Sequence, residues 1–591
     1  MHMTTSVLAL TLCLIGGGSS SGESSDESVR ILSHAQLSAE LASLASGHPD
    51  RVQLEVIGAS RSGNAIEVVR ISGQGNMTAR PAILLVAGLE GPRVFESSLA
   101  LSHARKLAEG YSQDAQIRAL LDSTTIYILP RANPDPGEGR FESPQIERSA
   151  WGRAVDNDRD GRSGEDQPQD VNGDGIVSWM RVLDPEGEWI SDPADSRVMI
   201  EADAAKGERG LWKLYREGRD NDGDGSVSED PTSDTILNRT FPAGWDELAP
   251  DAGLFPGDEP ETTALLKFVH SHRDLALVLC YDGIDNLVKQ PKAVADSAPS
   301  VKRIPPSGWL QSDADLLTEI GSRYKEHVTA GVASETDDAG SFQRWCYEHR
   351  GLWTLGVRLW DLPDAPPKKT EEEEEAEPSE SSEPSEEADV ADEAKADQAA
   401  GADAKKDPEP SSDAKHLLWI DASEGEGWRF QDWTAFEHPD LGPVEIGGFA
   451  PFARFDPPAA LGLDLIEQQF SFFLTLGELL PRVQLVEFKA EALGEGLWQI
   501  DANLESGSAL LPLRSKSAER ARMVRPARVR FELPEGAVMV AGQSQQLVQE
   551  LKGAGKRHEL QWLVSGPSGM QVGISIDTDN AGALRQNLEL N

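Results

Sequence analysis

Three apolar runs most constrain the fold: PAILLVAG at 81–88, TTIYILP at 124–130 and LALVLCY at 275–281. Each has the length of a strand and carries apolar residues on both faces, as expected for strands buried on both sides of a sheet. Between them lie helical patterns, for example at 96–109 and 260–270. VQLEVI (52–57) and IEVVRI (66–71) flank the turn-like SRSGNA and read as a strand pair. Strands alternating with helices predict an α/β domain with a mixed sheet flanked by helices. In such sheets chemistry gathers at the carboxyl ends of strands. The loop at 89–93 and the pair Asp282-Gly283 both fall there.

The rest of the chain differs in texture. Residues 363–415 are rich in Glu, Ala, Ser and Pro and nearly free of aromatics, which predicts a disordered acidic spacer. Order is expected again at HLLWIDA, and Leu465, Ile466, Phe470, Phe473 and Leu474 mark a core-facing helix within 461–480. After Pro481, short alternating segments such as VEFKAEAL, LWQIDANLE and ARVRFELP predict a β-sandwich at 483–591. The preceding domain spans 27–482, with an aspartate-rich insertion at 150–235. The formal net charge of −45 disfavours nucleic acid and anionic membranes as partners. Val7–Ile15 is an apolar run of signal-peptide length, so residues 1–22 read as an export signal and the mature chain as secreted, periplasmic or in the cell envelope. No segment is long and apolar enough to span a bilayer. Two cysteines remain beyond the leader, Cys280 and Cys346, too few for a disulfide framework, and their pairing stays open. Oligomeric state is not legible.

DNDRDGRSGEDQ (156–167), DVNGDGIVSWMR (170–181) and DNDGDGSVSEDP (220–231) repeat one pattern. Oxygen-bearing residues stand at positions one, three and five, and glycine at six, as in the first half of a calcium loop. The candidate ligands are Asp156, Asp158 and Asp160; Asp170, Asn172 and Asp174; and Asp220, Asp222 and Asp224. Position twelve is Gln167, Arg181 and Pro231, so Asp166 and Asp230, one place earlier, are the expected substitutes in the first and third loops. The expectation is structural calcium in at least one loop.

Six segments in order together resemble the zinc metallocarboxypeptidase family, with its carboxypeptidase A-like fold. They are IGASRSGNAIEVVRI, PAILLVAGLEGPRVFESSLAL, ILPRANPDP, ILNRTFP, LALVLCYDGIDN and GSFQRWCYEHRGLWTLGVRLW. The resemblance covers about 50–480. It implies zinc held by His, Glu and His, a glutamate general base, and an Asn-Arg pair with further arginines for a peptide's terminal carboxylate.

The ungapped match places the zinc-ligand positions at Glu90, Arg93 and Asp282 and the general-base position at Arg358. Glu90 and Asp282 offer oxygens, but a guanidinium has no lone pair for a metal and is no base near neutral pH. The quartet sums to zero charge, which suggests two ion pairs in the volume of a lost metal site. Glu96 and His103 fall on the following helix, and His270 and His272 at a helix end, outside this set. Asn238 and Arg239 stand in their expected context, and Arg131 and Arg148 are further carboxylate-binding candidates. The leading expectation is an exported pseudopeptidase that binds peptide or protein C-termini without zinc. Two alternatives stay open: an active zinc carboxypeptidase with an atypical site, and a calcium-stabilised, non-enzymatic interaction protein.

Overall fold

The sequence AILLVA forms β3 (Ala82–Ala87), every residue of which is buried. It lies inside a six-stranded sheet with β1 (Val52–Ala59), β2 (Ala65–Ile71), β4 (Thr125–Leu129), β9 (Leu275–Tyr281) and β12 (Trp353–Val357), numbered along the whole chain and ordered β1-β2-β4-β3-β9-β12. The structure, a computed structural model, describes residues 29–74, 80–152, 161–229, 235–296, 305–329, 331–333, 337–364, 410–508, 510–551 and 556–591. β4, β3, β9 and β12 run parallel, whereas β1 and β2 pair antiparallel at one edge. The three apolar runs of the sequence are thus adjacent central strands.

Alternation along β3 divides the core. Ile83, Leu85 and Ala87 join one hydrophobic cluster, and Ala82, Leu84 and Val86 join another on the opposite face. The first face is covered by α1 (His34–Gly47), α2 (Val94–Gly110) and α3 (Ala115–Ser123), and later in the chain by α6 (Gln311–His327). Between these, α4 (Pro134–Gly137) is a single turn and α5 (Pro260–Ser271) covers the second face with α7 (Phe342–Arg350). α8 (Ser412–Ala422) and α9 (Ala459–Leu479) return to the first face; Leu465, Ile466, Phe470 and Phe473 are buried there and Leu474 is half-buried. Because β3, β9 and β12 are parallel, the loops carrying Glu90, Asp282 and Arg358 leave one end of the sheet together.

The aspartate-rich insertion does not stand alone. Its strands β5 (Trp179–Leu183), β6 (Trp189–Ser191), β7 (Met199–Glu201) and β8 (Trp212–Arg216) form an antiparallel sheet with β13 (Phe430–His438) and β14 (Gly442–Phe449), in the order β13-β14-β5-β8-β6-β7. The hairpin that completes this sheet comes from beyond the acidic tract, a pairing that no local pattern announces. The tract itself lies outside the described residues at 365–409. Its expected end at 415 is corrected, since α8 begins at Ser412, capped by the Ser411 hydroxyl, which accepts from the Ala414 N–H. A short parallel pair, β10 (Ala293–Val294) and β11 (Trp309–Leu310), lies near α6.

The C-terminal region is two four-stranded antiparallel sheets. One contains β15 (Val483–Gly494), β16 (Leu497–Ser506), β20 (His558–Ser565) and β18 (Val538–Ala541); the other contains β19 (Gln545–Val548), β17 (Ala527–Glu532), β21 (Gln571–Asp577) and β22 (Ala583–Glu589). Alternate residues Trp498, Ile500, Ala502 and Leu504 of β16 face the shared core, where Phe531 and Trp562 stack at 4.5 Å. Cys280 and Cys346 are buried free thiols, and among the described residues no helix is long and apolar enough to cross a membrane.

The sandwich docks through α10 (Lys516–Ala521), which packs on α7. Asp313, on α6, accepts from the Lys516 and Ser517 backbone N–H groups at 2.9 and 3.1 Å and from the Tyr347 hydroxyl at 2.8 Å. Burial nonetheless raises its pKa. Asp313→Ala would strand these donors, so a loss of about 3 kcal/mol is expected in urea unfolding monitored by tryptophan fluorescence. An unchanged midpoint would show that the apolar contacts of α10 suffice.

Candidate functional site

The loop between β3 and α2 sets the site. Gly88 turns the chain at φ +63°, with Arg131 and Ser97 so close that a Cβ would crowd them. The chain then presents Glu90, passes Gly91-Pro92 and enters α2 at Arg93, the N-cap residue, which makes no side-chain cap hydrogen bond. A cation at a helix N-terminus opposes the helix dipole. Arg93 is held there by its neighbours. Its Nε donates to Glu90 at 2.9 Å, its Nη1 donates to the Trp360 carbonyl at 3.0 Å and lies 4.0 Å from Glu96, and its guanidinium sits over Phe455. Burial works against this charge, but Glu90, Glu96 and Asp361 outweigh it, so the Arg93 pKa is raised further.

Glu96, excluded by sequence reasoning, belongs to the site. It lies in the first turn of α2 and is 2% exposed, and its carboxylate has no well-formed hydrogen bond among the described residues, only a weak approach to the Gly88 backbone. Burial, together with Asp282 and Glu90, lifts its pKa well above the ordinary glutamate value despite Arg93. The signal in the sequence was spacing. Residue 96 is three after Arg93, so the two share a helix face.

Asp282, at the end of β9, is wholly buried. Its carboxylate accepts from the Ile284 N–H at 2.8 Å, from the Asn238 amide at 3.1 Å and from the Gln343 amide. Burial and the Glu90 charge raise its pKa to about 7. The expected pairing of Asp282 with an arginine is corrected, because two amides satisfy it. Arg358 turns instead to Asp361, while burial and repulsion from Arg93 lower its pKa. One of the two expected ion pairs therefore forms, Arg93 with Glu90, extended to Glu96.

The candidate carboxylate-binding residues separate. Asn238 is buried; besides holding Asp282, it accepts from the Phe342 N–H at 2.9 Å, which fixes the start of α7. Arg239 pairs with Asp251 at 3.0 Å and with Asp337 at 3.5 Å. Arg131 is buried among Ser97, Glu138 and the Leu32 carbonyl. Arg148 makes a two-pronged pair with Glu142 and lies over Trp151. A cavity of about 460 Å³ opens beside the site, bordered by Ile284, Asp285, Asp337, Gln343 and Arg344.

The aspartate loops lie on the second sheet. Asp156, Asp158, Asp160 and Asp230 fall outside the described residues. Asp170 accepts from the N–H groups of Gly173, Asp174 and Gly175, and Asn172 bonds Asp174 within the same turn. Asp220 accepts in the same way from Gly223 and Gly225. Only one acidic group gathers among the described residues, Asp166 with Asp222, Asp224 and Glu229. It joins the first loop to the third, and Glu229 was not among the candidates.

Residues 37–176 match the family model of the zinc carboxypeptidases, and residues 482–589 match that of a domain of unknown function (DUF8731). The chain is 24% identical over 259 residues to carboxypeptidase A1 of Sus scrofa, covering 44% of this chain and 46% of that protein. It is 32% identical over 139 residues to carboxypeptidase E of Caenorhabditis elegans, covering 22% and 29%. Of solved structures, thrombin activatable fibrinolysis inhibitor matches at 13% identity with a TM-score of 0.36, over 57% of this chain and 67% of that one. The carboxypeptidase A of Helicoverpa armigera matches at 16% with a TM-score of 0.35, over 56% and 64%. The chain spans under half the length of the curated relatives it matches. It carries a metallocarboxypeptidase-family domain. Zinc, the cofactor of that family, does not fit this donor set. A guanidinium lies between Glu90 and Glu96, hydrogen bonds from three N–H groups hold the Asp282 carboxylate, and no histidine joins them. His103 is buried against Tyr281, Phe470 and Phe473.

The raised acids have a consequence in pH. Asp282 titrates near 7 when folded and at about 4 when unfolded. The native state therefore keeps a proton that the unfolded chain has released, and stability falls as pH rises across that window. Asp282→Asn should flatten that part of the slope in urea titrations at several pH values. Arg93→Ala should cost about 3–5 kcal/mol by leaving buried carboxylates unpaired, and less at acidic pH, where Glu96 protonates. A pH-independent cost would refute this electrostatic description.

Proposed function

We propose that this chain is an exported, non-hydrolytic relative of the zinc carboxypeptidases that acts by binding. The observation that carries the reading is the Arg93 guanidinium, lodged between Glu90 and Glu96 at a position where the family resemblance calls for a zinc ligand. Peptide hydrolysis in that family needs a polarising cation and a base for water. Here the fixed positive charge is an arginine held by Glu90 and the Trp360 carbonyl, and the general-base position is Arg358, engaged with Asp361.

Binding of a peptide's C-terminal carboxylate in the same cleft is the narrower part of the reading. Arg239 supports it. Its Nε stays paired with Asp251 at 3.0 Å, but its Nη2 contact with Asp337 is 3.5 Å long and Asp337 is 63% exposed, a contact of little net strength that an incoming carboxylate can replace. Arg131 and Arg148 are committed to internal partners and are left out. Asn238 orients Asp282 and the start of α7 and reaches a ligand only through them. Structural calcium in the aspartate loops is compatible with this reading and independent of it.

The test is a hydrolysis assay against C-terminally varied peptides, with and without added zinc, beside a binding titration of the same peptides. No turnover is expected in either condition. Peptides with a free C-terminus should bind, and Arg239→Ala should weaken them about tenfold while amidated peptides stay weak. Turnover abolished by a chelator would overturn the non-hydrolytic reading. Affinity indifferent to Arg239→Ala and to amidation would overturn the carboxylate site alone.

A further inference from the structure

We infer that Asp166, Asp222, Asp224 and Glu229 form a single calcium site that ties the end of the first aspartate loop to the third. One oxygen from each lies within 4.8 Å of the others. That bound accommodates ligands on opposite sides of calcium, whose oxygen distances of 2.3–2.6 Å put them up to about 5 Å apart. Magnesium demands a stricter octahedron and usually keeps several waters, which a cage of four carboxylates suits less well.

A cluster of acids on a surface would not by itself require an ion. Asp166 distinguishes this one. It is 0% exposed, one of its oxygens accepts from the Asn221 N–H at 2.6 Å, and its other oxygen is buried without any hydrogen-bond partner. A carboxylate oxygen removed from water and left unpaired is costly, and it faces three further carboxylates. A divalent cation in their midst satisfies the orphan oxygen and cancels the repulsion together.

Hydrogen bonds within the third loop set its shape. Asp222 accepts from the Asp224 N–H at 2.9 Å, and Asp224 accepts from the Ser226 N–H at 2.6 Å. These bonds hold both side chains within the turn. Glu229, at the tenth position of the third loop, supplies a longer arm where the twelfth is Pro231. Asp166 reaches in from 55 residues before Asn221, which also donates to the Glu165 carbonyl, so both ends of the connection are pinned.

The second loop is built differently. Glu217 accepts from the Val171, Asn172 and Ser178 N–H groups, which leaves that loop tied to β8 by hydrogen bonds. The site therefore clamps the two loop regions that precede β5 and follow β8. It does not depend on the non-hydrolytic reading.

The test uses the full chain, stripped of metal with EDTA and titrated with calcium chloride by calorimetry, with melting followed in parallel. Wild type should take up calcium and melt at a higher temperature with it. Asp166→Asn and Glu229→Gln should each remove one equivalent and most of the calcium-dependent shift in melting temperature, while the metal-free melting temperatures stay near wild type. Asp170→Asn should leave that equivalent in place. Unchanged uptake in both Asp166→Asn and Glu229→Gln would overturn the proposal. So would loss of the equivalent in Asp170→Asn, absence of binding at millimolar calcium, or equal affinity for magnesium.

Discussion

A buried positive charge at the end of β3 organises this protein's cleft. Arg93 sits at a helix N-terminus, where the backbone favours an anion, and out of water, where a guanidinium is costly. The surroundings answer both problems with carboxylates. Glu90 pairs with it directly, and Glu96 adds a second negative group in the first turn of α2. Remove that charge and the mutual repulsion of Glu90, Glu96 and Asp282 is left without an offset. The amides of Asn238 and Gln343 complete the arrangement by donating to Asp282. Each contact follows from the need to neutralise or hydrogen-bond a group that the sheet has buried.

The parallel strands explain why these groups meet. Glu90, Asp282 and Arg358 are far apart in the sequence, yet each follows a neighbouring strand of the order β3-β9-β12. This geometry suits a catalytic metal centre, which is how the family resemblance uses it. Here the same convergence supports a closed electrostatic network. The family domain can therefore be recognised while its chemistry is argued separately, from the donor atoms present.

Much of the main domain was legible in the sequence because its signals are local. Fully apolar runs gave the central strands, helical spacing gave α9, and alternation gave the sandwich. Strand ends pointed to the loop at 89–93 and to Asp282, and the family resemblance singled out Glu90, Arg93 and Asp282 there. The losses were long-range. The β13–β14 hairpin joins the aspartate-rich insertion from across the acidic tract, and nothing near either segment encodes that pairing. Charge balance over four residues suggested two ion pairs, but it could not show that Asp361 would claim Arg358 or that amides would serve Asp282. Glu96 was passed over for lying on a helix, although its first turn points into the site. Asp166 was expected to serve the first loop, but its acidic neighbours come from the third.

The central claim is that arginine has replaced a metal in this cleft, and diffraction tests it most directly. Crystals grown in millimolar zinc would be measured above and below the zinc absorption edge. The account predicts no anomalous peak near Glu90 and Asp282, with continuous density for Arg93 reaching Glu90. A zinc peak within about 2.2 Å of the Glu90 and Asp282 carboxylates, with Arg93 swung out of the pocket, would contradict it.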